Sequence, residues 1–184
     1  MIKAWRGDHM SKTTNRKKIE AIAYTAVFTA LVFVFTMLVN VKLPFGNGGL
    51  IHLGNVPLFI CAMILGKKAG AVSGAVGMGL FDLISGWVLW APFTFVIVGL
   101  MGYAVGKITE NKKTVPHYTL AFLVALVIKI VGYYVAEWII YGNIVAPLQS
   151  VPGNIIQIVF ASVLVLIAIK PLEIAAKRVG VRYV

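Results

Sequence analysis

The chain has 184 residues, of which 60% are hydrophobic and only 12% charged, with a mean hydropathy of +0.91. A soluble globular domain carries about twice that share of charge, so this composition excludes one and describes a polytopic membrane protein. The net charge of +11 does not call for a nucleic-acid partner, because basic residues between membrane segments report topology first.

Met1 to Met10 differ in character from the rest of the chain, and His9-Met10 resembles the join between an expression tag and a native start, so 1–10 read as a tag remnant and 11–184 as one domain. Ser11 to Lys18 is polar and basic. A window of about 20 residues, enough to cross roughly 30 Å of hydrocarbon, then predicts six membrane helices. They lie near Ile19–Val41, Leu50–Leu65, Ala69–Ser85, Ala91–Lys107, Tyr118–Tyr141 and Pro152–Pro171. The expected fold is an all-α six-helix transmembrane bundle. The second and third helices are short and carry glycine, which suits tilted, broken or shielded segments.

Cations set the orientation. Lys12, Arg16, Lys17 and Lys18, then Lys67 and Lys68, then Lys107, Lys112 and Lys113, then Lys170, Lys177, Arg178 and Arg182 fall on one side of a six-span chain, and only Lys42 on the other. Basic residues mark the cytoplasmic side, so both termini are expected there. The loops Lys42–Gly49, Gly86–Trp90 and Gly142–Val151 would face outward.

Small residues indicate where helices meet. Ala23, Ala26 and Ala30 recur along the first helix, and Gly66, Gly70, Gly74, Gly77 and Gly79 along the third. Such rows let backbones approach closely in lipid, either inside the bundle or against another membrane protein. The single cysteine, Cys61, lies in an apolar run and reads as a small buried hydrophobe, so no disulfide or cysteine metal cluster is expected.

The chemistry concentrates in the fifth helix. Lys129 and Glu137 are opposite charges inside an apolar stretch, where each would cost roughly 2.5 to 3.5 kcal/mol at a helix centre. With Tyr133 and Tyr141 they recur every four residues and share one face. That face is either an internal Lys-to-carboxylate bridge or a pocket wall opening outward. The last helix opens with Pro152-Gly153-Asn154 and Gln157, whose amides offer donors and acceptors to a neutral, hydrogen-bonding ring. Asn40, Asn47, His52, Asn55, Asp82, Trp87, Trp90 and Thr94 lie toward the same outer side. The candidate substrate-binding set is thus Asn40, His52, Asn55, Asp82, Trp87, Trp90, Thr94, Lys129, Tyr133, Glu137, Tyr141, Asn154 and Gln157.

No Walker-type Gly-Lys-Ser/Thr loop, His-Glu-x-x-His, Gly-x-Ser-x-Gly or membrane carboxylate pair at metal-binding spacing is present. The chain is expected to be neither an enzyme nor a metalloprotein, and two inverted halves do not stand out.

The stretch Ile51-His52-Leu53-Gly54-Asn55-Val56-Pro57, with Leu65-Gly66, Gly70, Gly74, Asp82-Leu83 and Pro152 to Gln157, resembles the substrate-binding S components of energy-coupling factor (ECF) vitamin transporters, in particular the riboflavin type. The resemblance runs from about Ile19 to the C-terminus. It implies a multi-pass subunit in the plasma membrane of a prokaryote that captures a vitamin outside. It also implies assembly with a transmembrane coupling subunit and two cytoplasmic ATPases, which use the ATP. The Ala23, Ala26 and Ala30 row resembles the family's surface for the coupling subunit, and Gly46, Asn47, Gly48 and Gly49 its lid loop. Asn55 stands where many relatives have an acidic residue, and Gln157 where some riboflavin receptors have lysine. These departures point from riboflavin toward a small aromatic vitamin or precursor of the pyridoxine or hydroxymethylpyrimidine class. A riboflavin-specific S component, a proton-coupled secondary transporter using Lys129, Glu137 and Asp82, and a non-transporting membrane scaffold are the alternatives.

Overall fold

A computed structural model describes residues 2–42 and 50–180, with side chains over 15–40 and 51–180. Six helices dominate: α1 (Ile2–Leu38), α2 (Asn55–Leu65), α3 (Lys67–Ile84), α4 (Ala91–Thr109), α5 (Val115–Tyr141) and α6 (Val151–Arg178), with a short 3-10 turn at Ala146–Gln149 before the last. Four stretches, Asn15–Leu38, Ala91–Thr109, Val115–Tyr141 and Ala146–Arg178, are long and apolar enough to cross a membrane.

Four sequence expectations change. The first helix begins at Ile2 rather than Ile19, because hydropathy registers only the apolar span and not the polar turns before it; Arg16 pairs with Glu20 one turn on, at 3.0 Å. The expected helix from Leu50 starts only at Asn55, and the chain is not purely helical. Asn40–Lys42 (β1) and Leu50–His52 (β2) instead pair antiparallel, with Asn40 opposite His52 and Lys42 opposite Leu50. This supplies partners to backbone that has left α1, as apolar surroundings require. Finally, α6 passes through Pro171 to Arg178. Pro171, exposed on the helix surface, removes one backbone N–H donor from α6 without ending it.

The helix α2 explains the architecture. At 11 residues it extends only about 16 Å, half of a bilayer core. Every one of its residues except Val56 is buried, so it is an internal helix wrapped by the others. Leu58, Phe59 and Met63 pack in a common core with Val32 of α1, Met78 of α3, Val98 and Met101 of α4, Phe122 of α5 and Ile158 and Val165 of α6. Phe59 and Phe122 rings stand 5.2 Å apart. Cys61 is buried there, as the sequence suggested.

One residue turns α2 into α3. Gly66 has φ 94° and ψ 178°, a backbone that a side chain would strain, and its N–H donates to the Ala62 carbonyl at 3.1 Å. The two helices then run antiparallel, Gly70 lying against Ala62 and Gly74 against Leu58. The opposite face of α3 meets α4 just as closely, Gly70 backbone against Gly102 and Lys67 backbone against Gly106. Gly77 receives Val32 of α1. The glycine row of α3 is therefore consumed inside the bundle. The alanine row of α1 is not: Ala23, Ala26 and Ala30 are all exposed.

Charge divides the ends of the bundle. At one end Glu110 bridges Lys67 and Lys107, at 3.0 and 3.2 Å, and holds the starts and ends of α3 and α4 together. Beside it Glu173 of α6 is buried, accepts a hydrogen bond from Tyr118 at 2.9 Å and faces Lys113 at 3.7 Å and Lys170 at 4.0 Å. Lys113 also donates to the Met63 carbonyl near the end of α2. Burial lowers the Lys113 ammonium from 10.5 to about 8, against the pull of Glu173. This network does not stand out from the sequence, although Glu173 is the one carboxylate after Glu137 and has cations on both sides.

Candidate functional site

The other end gathers the candidate residues. The hairpin β1–β2 is fastened by α6: Gln157, itself buried, donates from Nε2 to the His52 carbonyl at 3.0 Å. His52 is buried too, and its Nδ1 accepts the Gly54 N–H at 3.3 Å, which leaves Nε2 to carry the proton of a neutral ring. Gly54 fits because a side chain there would collide with Thr36 of α1 and crowd Met78 of α3. Asn40 stands opposite His52 in the hairpin and is half-buried.

Lys129 occupies the centre. It is 2% exposed, and its Nζ stands 4.9 Å from the centroid of Tyr133, one turn along the same face of α5. Tyr133 shares a 3.0 Å hydrogen bond with buried Thr94 of α4. Asp82 of α3 and His52 are both within reach of the Lys129 charge, although no ion pair joins Asp82 to Lys129 among the described residues. Charged and polar residues from β2, α3, α4 and α5 thus share one region of the bundle.

Glu137 does not belong to that pair. Its carboxylate accepts a 2.8 Å hydrogen bond from Ser150, and among the described residues no ion pair joins it to Lys129. Ser150 was not among the residues expected here; its position just before Val151-Pro152 is a helix-start signal that could have marked it, though its hydroxyl serves Glu137 and the Pro147 carbonyl rather than the α6 N-terminus. Trp87, Trp90 and Tyr141 form an aromatic edge beside it, with ring centroids 5.2 and 6.0 Å apart and steep interplanar angles. Asn154 is half-buried in the first turn of α6, its N–H given to the Ser150 carbonyl at 3.0 Å. Gly46, Asn47, Gly48 and Gly49, expected to form a lid, lie outside the described residues.

Asn55 is the exception to satisfied polarity. It is wholly buried at the first turn of α2, and neither its amide nitrogen nor its amide oxygen has a hydrogen-bond partner among the described residues. Leaving such a group unmade costs about 1–3 kcal/mol, which a merely structural asparagine would not sustain.

The arrangement provides a caged cation, a carboxylate, hydroxyls, amides and aromatic edges at one end of an apolar bundle. That is a set for holding a small, polar, ring-shaped molecule. The profile of the ECF-type riboflavin transporter S-component family matches residues 16–173. The chain belongs to this family of S components.

Among curated proteins, the S component is 29% identical over 155 residues to the thiamine precursor transporter HmpT of Lactococcus lactis subsp. cremoris (strain MG1363), covering 83% of this chain and 87% of that one. It is 31% identical over 111 residues to an uncharacterized protein in a gap 3'region of Pyrococcus woesei, covering 60% and 74%. Among solved structures, the S component for biotin from an ECF-type ABC transporter superposes with a TM-score of 0.65 at 17% identity, over 91% of this chain and 98% of that one. At that identity the likeness establishes a shared fold.

Proposed function

We propose that this S component captures a small aromatic vitamin precursor of the hydroxymethylpyrimidine class for an ATP-driven ECF importer. The observation that carries the substrate class is its relation, over most of both chains, to a thiamine precursor transporter. The site is compatible with it: Asp82, Thr94, Tyr133, Lys129 and Gln157 present short polar groups, and the Trp87, Trp90 and Tyr141 edge presents aromatic surface. Pyridoxine, a heteroaromatic ring of similar size with hydroxyls, is the nearest competitor. Riboflavin is the second reading, favoured by the family's own description.

The remaining roles come from the family. Energy would come from two partner ATPases through a transmembrane coupling subunit, which would dock on the exposed Ala23, Ala26 and Ala30 face of α1. The lysine-rich end, and with it both termini, would face the cytoplasm of a prokaryotic cell.

The test is to purify the chain alone in detergent, identify any carried small molecule by mass spectrometry, and titrate hydroxymethylpyrimidine, pyridoxine and riboflavin against tryptophan fluorescence. Saturable, stoichiometric binding of the pyrimidine, without ATP or an ion gradient and tighter than the other two, is expected. Preference for riboflavin or pyridoxine, or no binding, would overturn the substrate assignment.

A further inference from the structure

We infer that Asn55 is the specificity-determining residue, reading the edge of an aminopyrimidine on which a ring nitrogen stands beside an exocyclic amine. The inference rests on the proposed function and adds to it the residue and the chemical feature that is recognised.

Three observations lead there. Asn55 has no solvent exposure, and both polar atoms of its amide lack a partner among the described residues. An asparagine kept for its fold would cap a helix or bond a neighbour, yet α2 has no side-chain cap among its contacts and the nearby polar groups are committed elsewhere. His52 gives its carbonyl to Gln157 and its Nδ1 to Gly54, and Thr36 gives its hydroxyl to the Val32 carbonyl at 2.7 Å. The second observation is position. Asn55 follows Gly54 and lies three residues from His52, which feels the Lys129 charge, so the amide belongs to the polar end of the bundle rather than to the apolar middle of α2. The third is chemistry. A carboxamide offers one donor and one acceptor side by side, and it pairs in two parallel hydrogen bonds with an adjacent ring nitrogen and amine, as asparagine does with adenine.

Pyridoxine lacks that edge, because no amine flanks its ring nitrogen. Asn55 therefore separates the two leading substrate classes, as a site whose own polar groups stay unpaired with the wrong ligand must. Because the amide is enclosed in the ligand-free chain, binding requires the side chains now covering it to move.

The experiment measures two ligands against two variants by isothermal titration of the purified chain: hydroxymethyl aminopyrimidine and its analogue with a hydrogen in place of the amine. The parent should prefer the amine by roughly ten- to hundredfold. Asn55→Leu should bind the aminopyrimidine weaker by a similar factor and lose the preference. Its ligand-free melting temperature should equal or exceed that of the parent, since two unpaired polar atoms are replaced by apolar volume. Asn55→Val, which has no polar side-chain atom and is smaller than leucine, should also lose most of the preference and serves if the leucine variant does not fold. Variants that retain parental affinity and preference, or a leucine variant that folds but melts lower, would overturn the assignment of Asn55 and leave the proposed function standing. A parent that binds no aminopyrimidine would overturn the proposed function, and this inference with it.

Discussion

A lysine at 2% exposure within a membrane helix needs an opposite charge in reach, and the one that acts on Lys129 is Asp82 on another helix, without an ion pair between them among the described residues, rather than Glu137 on its own. The reason is geometric: eight residues of helix separate Lys129 and Glu137 by about 12 Å, beyond direct contact. Removing the ammonium takes away the positive charge that acts on the Asp82 carboxylate. Lys129→Met should therefore lower stability by about 3 kcal/mol, and adding Asp82→Asn should restore more than half of the loss. Thermal unfolding of the four chains in one detergent checks this, and additive losses would refute the coupling. The charges themselves were legible in the sequence because ionisable groups are rare in apolar stretches. Their partners were not, because Asp82, Ser150 and Thr94 come from distant segments and only packing brings them together. The isolation of Asn55 was equally invisible, since burial without a partner is a property of the fold.

Between elements, glycine decides how near two helices stand. A Cβ on Gly102 would meet the backbone of Gly70 and Ala71, whereas one on Gly99 would come only to 3.4 Å of the Ala75 methyl. Backbone cannot yield as a side-chain tip can. Gly102→Ala should cost about 2 kcal/mol by forcing α3 and α4 apart, while Gly99→Ala should stay within about 0.5 kcal/mol of the parent. Melting of both variants tests it. The same two helices are tied outside the membrane by Glu110, whose carboxyl Lys67 and then Lys107 hold below its ordinary 4.5. A carboxyl lowered in the folded state stabilises above that ordinary value and loses its contribution as pH falls through the folded one. Acidification below about pH 4.5 should thus lower the melting temperature more steeply in the parent than in Glu110→Gln. The small-residue rows were readable as packing faces, but α2 was not readable as an internal helix. Hydropathy measures apolarity, and an 11-residue core helix is as apolar as a short span.

At the scale of the whole molecule, two small-residue rows have different fates. The α3 glycines are filled by α1, α2 and α4, so they need no outside partner. Ala23, Ala26 and Ala30 remain exposed along α1 beside Ile22 and Val27, on a helix whose contacts with α2 and α3 use other positions, among them Val32 and Phe33. Lipid would cover that face at little cost whatever the side-chain size, and a row of alanines matters only where a second helix must come close. Bulk added there should therefore spare the isolated chain. We expect Ala26→Trp and Ala30→Trp to keep the melting temperature and ligand affinity of the parent, because the candidate site lies among β1, β2 and the helices α2 to α6. Copurification with the coupling subunit, expressed together with its ATPases, should fall at least tenfold. Loss of ligand binding in step with loss of the complex would show instead that this face supports the site. Unchanged assembly would move the docking surface elsewhere on the bundle.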